Sequence, residues 1–228
     1  MRICEVFPSR QGEGCLTGTP SVFVRASGCN LRCRWCDTPY ASWSPEGDDL
    51  AVDEIVERVD GHGLEHVVLT GGEPMLFAEL VPLCQALRQR DYHITIETAG
   101  TLFLPVECDL MSISPKTANS TPAADVAPRW HVRHERSRHV PEVIRQLIGR
   151  YEYQLKFVVA EPDDCDQVER WLAEFPEVDR ARVMLMPEGT DPAVLAERTR
   201  WLVAHSRHHG FEFCPRRHIE WYGPVRGK

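Results

Sequence analysis

Short apolar and β-branched runs alternate along this chain with stretches whose apolar residues recur every three or four positions. The short runs predict β-strands, and several lack a clean polar alternation, which is typical of strands covered on both faces. The predicted strands are Ser21–Ala26, His66–Thr70, Tyr92–Thr98, Asp109–Ile113, Tyr153–Val159, Arg182–Met186 and Phe211–Cys214.

The stretches with helical spacing predict amphipathic helices between these strands. Their apolar stripes are Ile55, Val56 and Val59; Leu80, Leu83, Cys84 and Leu87; Val168, Trp171, Leu172 and Phe175; and Leu195, Leu202 and Val203. The last helix starts at Asp191-Pro192, a capping residue followed by a first-turn proline, and ends near Gly210. From Lys116 to Val140 there is no such period, so we expect a loop or irregular segment there.

Repeated β-α units predict an α/β fold with a parallel sheet wrapped by helices. About six units are present, which favours a partial or compact (β/α) barrel over a complete one. The length of 228 residues suits a single domain over residues 1–228. In such barrels the chemistry gathers at the carboxyl ends of the strands.

Composition and charge narrow the classes of function. Hydrophobic residues make up 43% of the chain and charged residues 26%, as in an ordinary globular protein. The net charge of −8 disfavours broad binding to nucleic acid or to a membrane. No signal peptide or membrane span is recognised, so we expect a cytoplasmic protein. One basic run, Arg129 to Arg138, is either a solvated loop or a contact with an anionic ligand or redox partner.

Three of the nine cysteines stand together, at Cys29, Cys33 and Cys36, in the spacing C-x3-C-x2-C. Three thiolates can ligate three irons of a [4Fe–4S] cluster and leave the fourth iron open, whereas electron-transfer clusters normally take four cysteines. Zinc is the alternative, but no fourth ligand follows at the usual spacing. The other six cysteines are scattered, and we interpret them as packing residues.

The cysteine loop resembles that of radical S-adenosylmethionine (SAM) enzymes. A second motif, Thr70-Gly71-Gly72-Glu73-Pro74, follows a predicted strand and resembles the turn that holds the methionine ammonium of SAM in that superfamily. Glycines there allow a close backbone approach. The resemblance implies that SAM is bound at the open iron and yields a radical that abstracts a substrate hydrogen.

A series of further motifs resembles the 7-carboxy-7-deazaguanine synthase family over nearly the whole chain. The motifs include EVFPSRQGEG, GCNLRCRWCDT, IETAGT, SPK, LKFVV, LMPEGT and the final RRHIEWYGPVRGK. The resemblance implies a lyase that converts 6-carboxy-5,6,7,8-tetrahydropterin to 7-carboxy-7-deazaguanine with loss of ammonia, in queuosine and 7-deazapurine biosynthesis. The alternative is an activase that generates a glycyl radical on a partner protein.

The same resemblance assigns residues to the substrate and to SAM. For the pterin it implies Arg10, Gln11, Gly12, Glu13, Arg25, Thr70 and Lys228, although the family's usual tail sequence is absent here. For SAM it implies Trp35, Cys36, Asp37, Gly72, Glu97, Ser114, Pro115, Lys116, Met186, Pro187, Glu188 and Gly189. The alternative for Arg25 is a surface ion pair at a strand end, and Glu97 suits a structural carboxylate equally well.

Further partners also follow from the resemblance. The cluster ligands are Cys29, Cys33 and Cys36, and Thr38 supplies a hydroxyl to Mg²⁺, an ion that prefers oxygen ligands and keeps several waters. A reductant such as a flavodoxin and a homodimer are further expectations. His218 could lie near the site, but we interpret it as a structural residue late in a strand.

Overall fold

The computed structural model describes residues 1–228 and is built around one sheet with helices packed against it. The strands are β1 (Arg2–Arg10), β2 (Pro20–Ala26), β3 (Asp48–Asp49), β4 (His66–Gly71), β5 (His93–Thr98), β6 (Leu110–Ile113), β7 (Tyr153–Val159), β8 (Val183–Pro187) and β9 (Glu212–Phe213). The helices are α1 (Val52–Asp60), α2 (Leu80–Arg88), α3 (Pro128–Ser137), α4 (Pro141–Arg150), α5 (Pro162–Ala173), α6 (Pro192–His209) and α7 (Arg217–Tyr222). None of the helices is both long and apolar enough to span a bilayer.

The nine strands form one sheet in the order β3-β1-β2-β4-β5-β6-β7-β8-β9. From β2 through β9 every pairing is parallel. At one edge β1 pairs antiparallel with β2, and β3 pairs antiparallel with β1. The sheet is open because β3 and β9, at its two ends, do not pair with each other. The predicted α/β fold with a partial barrel is therefore confirmed, with two antiparallel strands added at the edge.

Three of the four predicted apolar stripes lie wholly in the core, and the fourth contributes Leu202. The stripes of α1, α2 and α5 belong to one cluster of 36 buried residues, together with the inner faces of the strands. Ile55, Leu83 and Val168 are at most 1% exposed. These helices cover the sheet and leave the carboxyl ends of the parallel strands free to carry polar side chains.

Two expectations about local structure are wrong. The segment from Lys116 to Val140 is not irregular throughout, because α3 occupies Pro128–Ser137. The sequence of α3, PRWHVRHERS, has no apolar stripe. The one residue that this helix buries is a histidine, His134. His218 lies in α7 and not in a strand.

Candidate active site

A cavity of about 360 Å³ opens at the carboxyl ends of the parallel strands. It is lined by the segment after β1, the turns after β2 and β4, the ends of β5 through β8, and part of the segment 216–228. Most residues that the sequence predicted for the site meet here. They are Arg10, Gln11, Gly12, Glu13, Arg25, Thr70 and Lys228 for the substrate; Trp35, Asp37, Gly72, Glu97, Ser114, Lys116, Met186, Pro187, Glu188 and Gly189 for SAM; and Thr38 for magnesium.

The three cysteines and Pro115 are not in the cavity lining. The cysteine loop lies beside the cavity wall, where Cys33 is buried and Cys29 and Cys36 are partly buried. Burial raises the pKa of Cys29 and of Cys33 to about 12. These thiols are therefore protonated at neutral pH unless a bound metal centre stabilises the thiolates.

The cysteine loop carries a donor set that fits an iron–sulfur cluster. The backbone N–H of Leu31 donates to Cys29 Sγ at 3.4 Å, and Cys36 Sγ lies 3.1 Å from Ser42 Oγ. Hydrogen bonds to the sulfurs are one of the ways in which proteins adjust such clusters. No group of three or more His, Cys, Asp or Glu side chains is arranged to hold a single metal ion. The three soft sulfur donors fit a cluster better than they fit one ion.

Hydrogen bonds from distant segments hold the cysteine loop in place. The backbone N–H of Arg32, between the first two cysteines, donates to His134 Nδ1 at 3.1 Å. Trp43 Nε1 donates to the carbonyl of Cys33 at 3.0 Å, and Trp35 Nε1 donates to the carbonyl of Asn119 at 3.1 Å. Since His134 lies in α3, the helix that sequence reasoning missed supports the loop directly.

The glycines of the second motif allow backbone to pack on backbone. A Cβ at Gly72 would lie 2.1 Å from the carbonyl oxygen of Gly28, and one at Gly71 would lie 2.1 Å from that of Ala26. Glu73 is fully buried and accepts hydrogen bonds from the backbone of Met75 and from residues 98 and 99. The motif therefore binds the end of β4 to the residue preceding Cys29, and Gly72 reaches the cavity as well.

A chain of charged and polar side chains crosses the cavity wall. Lys156 Nζ donates to Glu13 Oε2 at 2.9 Å and to Glu97 Oε1 at 3.0 Å, and Thr70 Oγ1 donates to Glu97 Oε2 at 2.8 Å. Arg216 continues the chain from Glu13 Oε1, at 3.2 Å, to Asp37. Only 4% of the Lys156 side chain and 8% of the Arg216 side chain are exposed.

This network fixes the charges of its members. Burial alone would raise the pKa of Glu13, but Lys156 and Arg216 outweigh it and hold that pKa well below its usual range. Burial likewise disfavours the charged form of Lys156, yet Glu97 and Glu13 raise its pKa. Glu13 is therefore an ionised acceptor at the cavity wall. Lys156 and Arg216 were absent from the predicted site, although both lie in motifs that the sequence displayed.

Gly12 joins the segment after β1 to α7. A Cβ at Gly12 would lie 2.6 Å from both the backbone nitrogen and the Cβ of His218, so only glycine fits. The backbone N–H of Arg217 donates to the carbonyl of Gly12 at 2.9 Å. Gln11 is buried and donates through Nε2 to Ser21 Oγ at 3.0 Å. The conformation of this segment is thus set by both β2 and α7.

Arg25 is held by an acidic partner but keeps donors free. Its Nε donates to Glu5 Oε1 at 2.5 Å, and neither terminal nitrogen forms a hydrogen bond within the protein. Arg226 also pairs with Glu5, at 3.2 Å, and lies over the ring of Tyr40. These contacts hold the segment that ends in Lys228 against the cavity. Neither Arg10 nor Lys228 makes a side-chain hydrogen bond, and both lie in its lining.

Other residues predicted for SAM line the cavity outside this network, Lys116, Ser114 and Trp35 among them. Lys116 Nζ donates to Ser114 Oγ at 2.6 Å and lies 5.4 Å from the ring centre of Trp35. Arg216 donates to the carbonyl of Gly189 at 2.6 Å, so the turn after β8 is tied to the charged network. Aromatic, cationic and backbone groups converge here, which suits a ligand with a ring, a carboxylate and hydroxyls.

Comparisons with known proteins agree with this geometry. A family model described as the radical SAM superfamily matches residues 23–151. The chain is 44% identical over 226 residues to the 7-carboxy-7-deazaguanine synthase of Rhodopirellula baltica, covering 99% of this chain and 88% of that protein. It is 44% identical to the enzyme of the same name from Halobacterium salinarum, over 95% and 88% of the two chains.

Solved structures show the same fold. The crystal structure of QueE from Escherichia coli aligns over 95% of this chain and 94% of that one, with a TM-score of 0.72 and 22% sequence identity. A structure of TYW1 aligns over 81% of this chain, with a TM-score of 0.55. On the sequence identity, the family match and the cysteine loop beside a charged cavity, this chain belongs to the 7-carboxy-7-deazaguanine synthase family of radical SAM enzymes.

Proposed function

We propose that this chain converts 6-carboxy-5,6,7,8-tetrahydropterin to 7-carboxy-7-deazaguanine with loss of ammonia, in queuosine and 7-deazapurine biosynthesis. The observation that carries the proposal is the 44% identity, over 99% of the chain, to an enzyme named for that product. The alternative, activation of a partner protein through a glycyl radical, is not favoured by these relatives.

Cys29, Cys33 and Cys36 would hold a [4Fe–4S] cluster, and the wall formed by Trp35, Gly72 and the turns after β6 and β8 would hold SAM. When bound and reduced, this pair supplies a 5′-deoxyadenosyl radical that removes a hydrogen atom from the substrate. The protein orients the two ligands against each other. Lys116 and Ser114, already hydrogen-bonded at 2.6 Å, provide donors for a carboxylate or hydroxyls of SAM.

The substrate would lie between Arg25 and the segment after β1 that carries Glu13. Glu13 is ionised, so its carboxylate can only accept hydrogen bonds, and the 2-amino and ring N–H groups of a pterin are donors. Lys156 and Arg216 hold that carboxylate in position. The free terminal nitrogens of Arg25 suit the C6 carboxylate through charge-assisted hydrogen bonds.

Thr38 is our proposed protein ligand for Mg²⁺. Its hydroxyl lines the cavity, and its one side-chain contact is a long one, 3.8 Å from Cys36 Sγ, so its lone pairs are free for a hard cation. The ion would polarise substrate oxygens during the elimination.

Several features of the working enzyme remain predictions. We expect residues 1–228 to act as one domain, and one continuous sheet supports this. A cytoplasmic location agrees with nine free cysteines, since reducing compartments keep thiols reduced. A homodimer and a flavodoxin-type reductant complete the proposal.

The decisive experiment is an anaerobic incubation of reconstituted protein with SAM, dithionite, Mg²⁺ and 6-carboxytetrahydropterin, followed by mass spectrometry. We expect 7-carboxy-7-deazaguanine to form, and Cys33→Ala to lose both the cluster absorbance and the product. Cys165→Ala, a buried cysteine far along the chain, is the matched control and should keep both. Failure of the parent protein to form this product, with SAM still cleaved, would refute the substrate assignment.

A further inference from the structure

Helix α3 exposes a basic face. Arg129, Val132, Arg133 and Arg136 follow one another at helical spacing, and all four are exposed. Val126, just before the helix, is 79% exposed, and Val132 is 48% exposed. The face therefore combines guanidinium groups with two apolar side chains, in a protein whose net charge is −8.

The basic face has no acidic partners within the protein. None of its three arginines forms an ion pair, whereas eleven other arginines pair with Asp or Glu side chains. Arg34, exposed in the cysteine loop, is unpaired as well. Unpaired exposed cations grouped in this way create a local positive potential on an acidic surface.

The opposite face of α3 contacts the cysteine loop. His134 is fully buried and accepts the backbone N–H of Arg32. The guanidinium groups of Arg32 and Arg133 lie over the ring of Trp130, 4.1 and 4.9 Å from its centre. No residue of α3 lines the cavity. A protein bound to the basic face would thus approach the loop without closing the entrance for the substrate.

We propose that the exposed face of α3 is the docking surface for an acidic one-electron donor protein. This inference rests on the proposed function, because a cluster on the cysteine loop has to receive single electrons. In the transfer, the reduced donor loses one electron and the oxidised cluster gains it, and no covalent bond changes.

Electrostatic attraction favours the binding of an acidic partner at this face over the rest of the surface. An acidic partner is repelled by a chain of net charge −8 and attracted at its basic patch, so the patch determines the orientation of encounter. Val126 and Val132 favour a protein partner over a nucleic acid, since a phosphate backbone offers them no apolar contact. The donor would therefore be oriented with its acidic face toward the cysteine loop.

The test compares two double charge reversals in the cluster-loaded enzyme. R129E/R136E changes the proposed surface, and neither arginine makes a side-chain hydrogen bond, ion pair or ring contact. R58E/R200E is the matched control, because Arg58 on α1 and Arg200 on α6 are also exposed and also make no side-chain hydrogen bond, ion pair or ring contact. The probe is a recombinant acidic flavodoxin, used oxidised for calorimetric binding at low salt and with NADPH and its reductase for turnover.

We expect R129E/R136E to weaken flavodoxin binding and the flavodoxin-driven cleavage of SAM about tenfold, with a smaller dependence on salt. Turnover driven by dithionite should stay within twofold, and R58E/R200E should match the parent in all assays. An equal loss in both double variants, or an equal loss when dithionite drives turnover, would overturn the proposal. So would an R129E/R136E variant that kept its affinity for flavodoxin but lost binding of an RNA probe. Binding is measured without the pterin, so a wrong substrate assignment would leave this result intact.

Discussion

Lys156 Nζ lies 2.9 Å from Glu13 Oε2, which joins two residues that are 143 positions apart in the chain. The lysine is almost fully buried and also holds Glu97. Lys156→Met would leave Glu97 without a cationic partner and Glu13 with Arg216 alone. Breaking a buried ion pair in this way typically costs about 3–5 kcal/mol of unfolding free energy. Urea unfolding of the variant and the parent measures this loss.

A surface ion pair provides the control for that prediction. Arg182 pairs with Glu152 at 2.7 Å, but 37% and 73% of the two side chains are exposed. Exposed pairs contribute about 1 kcal/mol or less, so Arg182→Met should change stability little. Adding Glu13→Gln to Lys156→Met should recover part of the loss. If Lys156→Met and Arg182→Met lowered the free energy of unfolding equally, the buried network would not be what stabilises the site.

Two glycines give predictions of opposite sign. In Gly12→Ala the new Cβ would clash with the backbone of His218, so α7 has to move, at a cost of about 1–3 kcal/mol. In Gly149→Ala the Cβ meets nothing within 4 Å, and alanine favours the helical conformation of α4 by up to about 1 kcal/mol. Thermal or urea unfolding distinguishes them. Stabilisation by Gly12→Ala would contradict the packing described here.

His134 makes stability depend on pH. Its Nδ1 accepts the N–H of Arg32, and its Nε2 carries the proton shared with Ser120 Oγ, because the Ser120 hydroxyl donates to Thr117. Protonating Nδ1 would place its N–H against the backbone N–H of Arg32, so two donors would face each other without an acceptor. Burial lowers the pKa of His134 from 6.5 to about 4.

The sign follows from that lowered pKa. Between pH 6.5 and pH 4 this histidine binds a proton in the unfolded chain but not in the folded chain. The folding stability that is present above pH 6.5 is therefore lost as the pH falls toward 4. Between pH 7.5 and pH 5 we expect the parent to lose about 2 kcal/mol more than His134→Gln. Urea unfolding of both proteins across this range tests it, and parallel curves would refute a neutral, buried His134.

Arg25→Ala should weaken substrate binding selectively. A charge-assisted hydrogen bond is worth about 1.5–3 kcal/mol, so affinity for the pterin should fall roughly 10- to 150-fold. SAM affinity, measured without the pterin by equilibrium dialysis, should stay within about twofold. If the variant lost SAM and kept the pterin, the two ligands would have been assigned to the wrong sides of the cavity.

Thr38→Ala tests the magnesium ligand. We expect the variant to keep its cluster and its affinity for SAM while losing most of the rate increase that Mg²⁺ gives, because no second protein oxygen is assigned to the ion. Product formation with and without Mg²⁺ measures this increase. Thr38→Ser keeps a hydroxyl and is the matched control. Equal stimulation of the alanine variant would place the ion elsewhere.

The sequence predicted strongly patterned elements and missed weakly patterned ones. The apolar stripes of α1, α2 and α5 identified their helices because the core selects a periodic apolar face. Helix α3 has no such face, since its anchor is the imidazole of His134 and its stability comes from contacts with a loop 102 positions away. Such a helix leaves no periodic signal. Strand β1 was missed for a related reason, as its sequence contains Pro8 and several polar residues.

The candidate site was predicted through its motifs more fully than through its charges. Glu13 and Glu97 were expected, but the cations that hold them, Lys156 and Arg216, were not. A lysine inside the apolar run YQLKFVV gives no indication of which acidic groups it meets. That depends on the pairing of strands, and pairing is a property of the whole sheet.

The contact between Arg216 and Glu13, across 203 positions, has a consequence for synthesis on the ribosome. The chain is synthesised from its amino terminus, so every residue described above as contacting the cysteine loop has been made once His134 is present. The substrate side also needs Arg216 and α7, which are made after every segment that contacts the cysteine loop. The residues that support the cysteine loop are therefore all made before those that complete the substrate pocket, so the order of synthesis separates the two halves of the site.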